Sequence, residues 1–353
     1  ELYALRYRKP ERLVPRRDVF EVTERLCWDG SVHTPLEESS LQPLIDVVRR
    51  DGIEAVAVCL LFSYVNPEHE LRVREVLQRQ CPGLSVALSH EIAREWREYE
   101  RASSAVMNAY VAPRVERYLS SLERELGERR VEATLHVMQS NGGITTASRA
   151  RQQPIQTLLS GPVGGTIGGA ALSKVTGRPN LLCVDMGGTS FDLSLIVDGQ
   201  PNVSMETELQ GLPVLMSLVD IHTIGAGGGS LAWVEAGGLR VGPQSAGAMP
   251  GPACYGRGGT EPTVTDANLF LGRLDPEYFL GGKMTLDTAA AAAALRSVGD
   301  QIGLDDVAFA EGMLAIVNAN MADAMRTITV KQGIDPREYS LVAFGGAGAM
   351  HAV

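Results

Sequence analysis

Cysteine is scarce and unpaired in this sequence. Cys27, Cys59, Cys81, Cys183 and Cys254 are scattered, and no C-x-x-C spacing occurs. That excludes a disulfide framework and a zinc ribbon, and an odd number of unpatterned cysteines reads as reduced thiols in a cytoplasmic protein. No run of 18 apolar residues is present, which excludes an ordinary membrane-spanning helix. The opening residues lack a signal-peptide pattern. Positive charge is in deficit, with 32 Lys and Arg against 42 Asp and Glu, a net charge of −10. A nucleic acid or a membrane surface is therefore not the expected partner. Repeats at solenoid periods are missing as well.

What the chain has in quantity is glycine, 38 residues of it in 353. Many sit beside apolar runs, a pattern of backbone approach to a ligand rather than of low complexity. The length favours two lobes. Leu41, Leu44, Ile45 and Val48 share a helical face, and "AVAVCLLF" (55–62) and "LSVAL" (84–88) read as strands around a helix that starts at Asn66-Pro67 and runs to about Gln80. That alternation predicts an α/β fold with parallel strands. A helical zone from about Glu98 to Arg130 is interrupted by Pro113, where a domain boundary is expected, giving 1–112 and 113–353. Beyond it Val115, Tyr118, Leu119, Leu122 and Leu126 form a stripe. Later come strands at 133–138 and 181–186, an alanine-rich helix at about 287–298, and a long helix from about Glu311 to Lys331 with Leu314, Val317, Met321, Met325 and Ile328 inward.

The densest chemistry lies in "CVDMGGTSFDLSLIVDG" (183–199). A P-loop needs a lysine and a following helix. Here there is no lysine, and Phe191, Leu193, Leu195 and Val197 alternate as in a strand, with Asp198-Gly199 as a hairpin turn. The unit reads as strand, Gly187-Gly188-Thr189 turn, strand. Its glycines can bring backbone N–H groups to phosphate oxygens, Thr189 adds a hydroxyl, Asp185 can hold Mg²⁺ through water, and Asp192 can orient the turn or polarise a nucleophile. A structural hairpin with a glycine corner remains the alternative. Two further loops bear on the choice. "IGAGGGS" (224–230) carries Gly225, Gly227, Gly228 and Gly229, and "FGGAGAMH" (344–351) carries Gly345, Gly346 and Gly348 between a strand and a helix. Three glycine loops at strand ends predict one nucleotide cleft. In a fourth, "LLSGPVGGTIGGA" (158–170), close helix–strand packing is the favoured role.

D-x-G-G-T before a hairpin, with a distal F-G-G-x-G, resembles the actin-like ATPase superfamily of sugar kinases and heat-shock chaperones. More narrowly, "SHEIAREWREYERASSAVMNAYVAP", "MQSNGG", "SGPVGG", "DMGGTSFD", "HTIGAGGGS", "GPQSAGAMPGPACYGRGGTEPTVTDANL" and "FGGAGAMHA" together resemble the hydantoinase A / 5-oxoprolinase family, which includes N-methylhydantoinase and acetone carboxylase subunits. The resemblance covers nearly the whole chain. It implies a two-lobed actin-like α/β fold, truncated here, with residues 1–112 the later part of an N-terminal domain and 113–353 a central ATPase-like domain. It makes Asp185–Asp192 the second of two phosphate motifs, the first being expected upstream, so that a fragment inactive on its own is expected. It implies ATP and Mg²⁺ as cofactors, a cyclic amide or ketone as substrate, and a B-type partner subunit or self-association. Family members phosphorylate an unreactive carbonyl oxygen, and water or bicarbonate completes the reaction. A conformational ATPase or small-molecule kinase, and a non-catalytic assembly subunit, are the competing classes.

Several isolated residues carry their own expectations. Asp220 and His222 in "VDIHT" face one side of an extended segment, as structural hydrogen-bonding groups or as ligands of a second divalent metal. His136 in "TLHVM" reads as a core histidine. Cys254 lacks a histidine partner nearby and reads as part of a structured loop rather than a nucleophile. "EWREYER" (95–101) reads as a solvated or interdomain helix face, and Asp266 in "TDANL" as an N-cap.

Overall fold

A computed structural model describes residues 10–209 and 211–352. The chain divides into two compact units, residues 1–163 with 203–219 and residues 164–202 with 220–353.

The first unit opens with a short antiparallel pair, β1 (Arg25–Leu26) and β2 (Val32–Thr34). Helix α1 (Gln42–Asp51), strand β3 (Ala55–Val58), helix α2 (Glu68–Gln80) and strand β4 (Ser85–Leu88) follow, and β3 and β4 pair in parallel. The parallel alternation is as expected, although the first strand stops at Val58, four residues short of the apolar run. Leu41, Ile45, Val48, Val73, Val76, Leu77 and Leu88 make the core between these elements. After α3 (Ser89–Ile92) comes α4 (Glu98–Glu128), which runs unbroken through Pro113. Proline removes one hydrogen bond from a helix interior, but Ala109 and Ala112 beside it are buried, and the packing of α4 on β3, β4 and a later strand holds it. Of the expected stripe beyond Pro113, Leu119 is buried but Tyr118 is exposed. The hairpin β5 (His136–Met138) and β6 (Ile144–Thr146) leads to α5 (Ala147–Gln152). His136 is exposed, not a core residue: among the described residues nothing buries its side of this two-stranded hairpin.

Helix α6 (Ser160–Thr176) leads into the second unit, where β7 (Leu181–Met186), β8 (Phe191–Val197) and the short β9 (Gln200–Pro201) form successive antiparallel pairs. Asp198 and Gly199 both take positive φ at the β8–β9 corner, as a two-residue hairpin turn requires. The chain then returns to the first unit for β10 (Val203–Leu209) and β11 (Leu212–Val219). The rest belongs to the second unit. It comprises β12 (Ile221–Ile224), the hairpin β13 (Ser230–Glu235) and β14 (Gly238–Ser245), helices α7 (Val264–Phe270), α8 (Thr288–Gly299) and α9 (Asp306–Lys331), strand β15 (Ser340–Phe344) and α10 (Gly348–His351). The central sheet runs β12-β8-β7-β15, with β15 parallel to β7. One face (Leu182, Val184, Met186, Phe191, Leu193, Leu195) packs on α7, α8 and α9. The other (Leu181, Cys183, Ile196) faces α6. A Cβ at Gly165 would overlap the Phe344 ring, and one at Gly169 would lie 2.6 Å from Cys183 Sγ. Gly165 and Gly169 thus let helix and sheet approach closely, the packing role expected of this motif, whereas a Cβ at Gly161, Gly164 or Gly168 would meet no atom within 4 Å.

Within "EWREYER", Glu95, Trp96, Glu98 and Tyr99 are exposed as expected, but the last residue is not. Arg101 is completely buried. Its guanidinium donates to Ser63 Oγ, to Ser89 Oγ at 3.1 Å and to Leu60 O at 2.9 Å, and lies 5.4 Å from the Tyr64 ring centroid. Glu70, also fully buried, accepts from Leu60 N, Ser89 Oγ and both His90 N and Nδ1. Burial alone would raise its pKa, but the donors from His90, Ser89 and Leu60 outweigh that and hold it below its ordinary value. The network ties the segments leaving β3 and β4 to the start of α4. Arg101→Met should cost about 3–5 kcal/mol, because it strands the remaining buried polar groups. Urea denaturation checks this, and a loss below about 1 kcal/mol, the level of an exposed pair, would show that the network clamps nothing.

Candidate functional site

The β7–β8 hairpin places Asp185 opposite Asp192 and Met186 opposite Phe191, with residues 187–190 as the turn. No helix follows Thr189, so a P-loop is excluded. Strand alternation puts Asp185 on the Cys183 face, at the open end of the sheet. Gly187 N closes the turn on Ser190 O at 3.2 Å. Gly188 and Thr189 are exposed at its tip. Among the described residues, their N–H groups have no protein acceptor.

The two carboxylates are treated differently. Asp192 Oδ1 accepts from Thr223 Oγ1 at 2.5 Å and Oδ2 from Ser190 Oγ at 2.9 Å. Asp185 is half-buried, and among the described residues no side chain or N–H donates to its carboxylate. Burial, and then the charge of Asp192, push its pKa above the ordinary value. An unbonded carboxylate beside a second, held carboxylate is a donor set that fits a hard divalent cation.

The other two glycine loops meet this turn. Gly228 N donates to Gly187 O at 3.0 Å and Gly229 N to Gly188 O at 2.6 Å, while Gly227 N bonds Ser230 Oγ at 2.9 Å. A Cβ at Gly227 would stand 2.5 Å from Thr189 N and 2.7 Å from Gly188 C, and one at Gly225 would stand 2.8 Å from Pro243 Cβ. Gly227, Gly228 and Gly229 are buried beneath the turn, with their N–H groups all committed inside the protein. Thr265 closes the layer below, donating from N and Oγ1 to Gly228 O at 2.7 and 2.8 Å. On the other side β15 delivers Gly345, at φ +83, against Asp185, and Ala347 N donates to Met186 O at 2.9 Å. Gly345 and Gly346 are exposed and Gly348 is buried. The three loops therefore converge around Asp185.

Asp220 and His222 do not join them. Thr223 is the residue level with Asp192, and Asp220 lies beyond the other end of β12. Asp220 and His222 line a separate cavity of about 300 Å³ with Thr327, Ile328, Lys331 and Gln332. Asp220 Oδ2 accepts from Asn202 and Gln332, each at 3.4 Å. Among the described residues no three His, Cys, Asp or Glu cluster as a metal site, so Asp185, Asp220 and His222 do not form one centre. Cys254 has no exposure, and burial followed by the Asp266 charge raises its thiol pKa steeply, which fits a structural residue. Asp266 is not the N-cap of α7. Thr263 is, with Asp266 completing a capping box, while the same carboxylate accepts from Ala253 N and Cys254 N. The sequence reading missed the bonds to Asp192 from Ser190 and Thr223. Thr223 stood in the motif "HTIGAGGGS", but a cross-strand partner 31 residues away leaves no local signal.

Comparison with known proteins agrees with this architecture. The hydantoinase/oxoprolinase family model matches residues 101–353, and the hydantoinase/oxoprolinase N-terminal region matches residues 1–81. The chain belongs to the hydantoinase/oxoprolinase family. An uncharacterized protein of Methanocaldococcus jannaschii is 40% identical over 366 residues, 100% of this chain and 54% of the relative. Caprolactamase subunit alpha of Pseudomonas jessenii is 37% identical over 99% of this chain and 51% of its own length. The crystal structure of that ATP-dependent caprolactamase superposes with a TM-score of 0.74 at 36% identity, over 99% of this chain and 51% of that one. The nucleotide-free structure of acetone carboxylase superposes with a TM-score of 0.88 at 29% identity, over 98% of this chain and 49% of that one. The chain thus has the mixed α/β, actin-like ATPase fold of this family and spans about half the length of these relatives. Among the described residues no helix is long and apolar enough to cross a membrane.

Proposed function

We propose that this chain carries one of the phosphate-gripping halves of an ATP-dependent enzyme that opens a cyclic amide by phosphorylating its carbonyl oxygen. One observation carries the reading. Gly187, Gly188 and Gly346 are glycine where nothing inside the protein asks for it, because none has positive φ and a Cβ on any of them would meet no atom within 4 Å. Close approach of this backbone to a ligand accounts for them at the end of the sheet. Gly187 and Gly188 form the turn that follows Asp185, Gly346 follows the Gly345 that lies against its carboxylate, and among the described residues the N–H groups of Gly188 and Thr189 have no acceptor. This combination suits a polyphosphate and its cation.

In this reading the turn N–H groups of Gly188 and Thr189 hold phosphate oxygens, and Gly346 gives them clearance. Asp185 holds Mg²⁺, the counter-charge that phosphoryl transfer requires. Ser190 and Thr223 hold Asp192 in one rotamer beside it. Transfer of the γ-phosphoryl group breaks its bond to ADP and forms one to the amide oxygen. Water then adds to the activated carbon and the ring nitrogen leaves, giving an acyl phosphate, and a second water releases phosphate and the free carboxylate. The buried Gly227–Gly229 loop acts beneath the site, as its floor. The name of caprolactamase subunit alpha supports a partner subunit of B type for this chain as well. A cytoplasmic location is part of the same reading.

The acetone carboxylase match supports a second reading, in which the phosphorylated oxygen belongs to a ketone enolate and bicarbonate supplies the new carboxyl group. Phosphate release with lactams, hydantoins, 5-oxoproline, or ketones plus bicarbonate, with and without a B-type partner, separates the two. Stimulation by a cyclic amide supports the first and by a ketone the second, while release that no substrate stimulates leaves only a conformational ATPase.

A further inference from the structure

His351 lies five residues beyond Gly346 and is held on both ring nitrogens. Nδ1 is 2.7 Å from Asn318 Oδ1 on α9, and Nε2 is 3.2 Å from Asn268 Nδ2 on α7. The same Asn268 Nδ2 donates to Val264 O at 3.0 Å. A helix carbonyl has no proton to give, so it fixes which end of the Asn268 amide faces the ring. Both amide hydrogens are then in use, and Nε2 must accept. The ring proton therefore sits on Nδ1 and goes to Asn318. Among the described residues Asn268 Oδ1 is left buried without a partner, in a residue 1% exposed.

We propose that neutral His351 is the positioning residue of the Gly345–Gly346 loop, fastening α10 to α7 and α9, and that its protonation unfastens the loop. This rests on the nucleotide reading of the site for its consequence, but not for its geometry. A second proton on Nε2 would point at the Asn268 amide nitrogen, donor against donor. Turning that amide would bring Oδ1 to the ring, but would set the same oxygen against Val264 O, acceptor against acceptor, and lose the bond there. Neither arrangement satisfies all groups, which is costly for buried polar atoms.

The charges around the ring act in the same direction. Burial, and then the charge of Arg273 just beyond α7, lower the His351 pKa below 6.5. Asp266 on α7 is committed to Thr263, Ala253 and Cys254. α9 has no ionisable residue between Glu311 and Asp323, β15 has none, and β7 contributes Asp185 at the loop itself. With the closed-state pKa below the open-state value, the fastening is complete above pH 6.5. It weakens as pH falls from 6.5 to the closed-state pKa, by about tenfold per pH unit, and then levels off.

The test combines histidine side-chain NMR of the 353-residue chain with amide hydrogen exchange at Ala347, whose N–H bonds Met186 O, and ADP titrations from pH 8 to 5. Expected are an Nδ1–H tautomer for His351 with a pKa below 6.5, and an Ala347 protection factor that falls about tenfold per pH unit within the window, with ADP affinity falling in parallel. His351→Gln, whose amide can both accept from Asn268 and donate to Asn318, should keep the protection and abolish its pH dependence. His351→Ala should be poorly protected at every pH. An Nε2–H tautomer, a pKa at or above 6.5, or a His351→Gln variant with the wild-type pH profile would overturn the proposal. If ADP binds at no pH while the tautomer and the Ala347 profile are as expected, the nucleotide reading falls and the fastening stands.

Discussion

Asp185→Asn is expected to lower the kcat of the active enzyme by on the order of 100-fold or more, leave ADP affinity within a few-fold, and raise the melting temperature of the chain. The first two effects follow from a carboxylate that positions the cation for transfer, an interaction that matters most in the transition state. The third follows from the site without nucleotide. Among the described residues Asp185 has no donor, and burial and the neighbouring charge of Asp192 both oppose its ionisation. Its folded-state pKa lies above 3.8, so the folded protein holds this proton more tightly than the unfolded chain does. Ionisation therefore costs stability as pH rises through the interval from 3.8 to the raised value, and the full cost persists above it. Asparagine removes the charge at similar volume. The gap between variant and wild type should thus open on going from pH 3 to pH 7, and because solvent screens this part-exposed group it should stay within about 1 kcal/mol. Melting curves against pH and steady-state kinetics check both halves. An unchanged kcat removes Asp185 from the chemistry, and a destabilised variant at pH 7 removes the claim that the carboxylate is held against its own preference.

Much of this site could be read along the chain because its logic is local. A strand of alternating residues after D-x-G-G-T can only run back beside the strand before it, and β7 and β8 do so. The glycine loops announce themselves because nothing else tolerates such crowding of backbone. The functional division among those glycines was not legible. Gly188 and Gly227 look alike in sequence, yet one stands exposed at a tip and the other lies buried beneath it, and only the contact between two loops 39 residues apart separates them. The same limit explains Arg101. A charge run at the start of a helix is normally solvated, and what buries this one is Ser63 and Leu60 from a distant turn together with Ser89 at the start of α3. His136 errs in the opposite direction: an apolar run suggests a covered strand, but a two-stranded hairpin has faces that nothing covers. Pro113 shows the weight of tertiary packing, since α4 passes a residue that local propensity would make a break.

The sharpest separation of packing glycines from ligand-facing ones comes from two adjacent residues. Gly345→Ala should destabilise the chain by about 3–5 kcal/mol and abolish ADP binding, while Gly346→Ala should leave stability within about 0.5 kcal/mol of wild type and still weaken ADP binding by on the order of tenfold. At Gly345 two penalties combine. Its φ of +83 lies where an L side chain strains the backbone, and its new methyl would overlap Asp185 Oδ1 and stand 2.6 Å from Met186 O. Met186 O is backbone and already accepts from Ala347 N, so the end of β15 would have to leave β7 to make room. At Gly346 the fold objects to nothing, since φ is ordinary and no atom lies within 4 Å of the added carbon. Whatever alanine costs there is paid against something outside the chain. Urea denaturation and ADP titration of the two variants, with Gly188→Ala as a second open position, measure both effects. If Gly346→Ala and Gly188→Ala bind ADP like wild type, the open glycines face no phosphate and the site assignment fails. If Gly345→Ala is as stable as wild type, the close approach of β15 to Asp185 does not hold the loop in place.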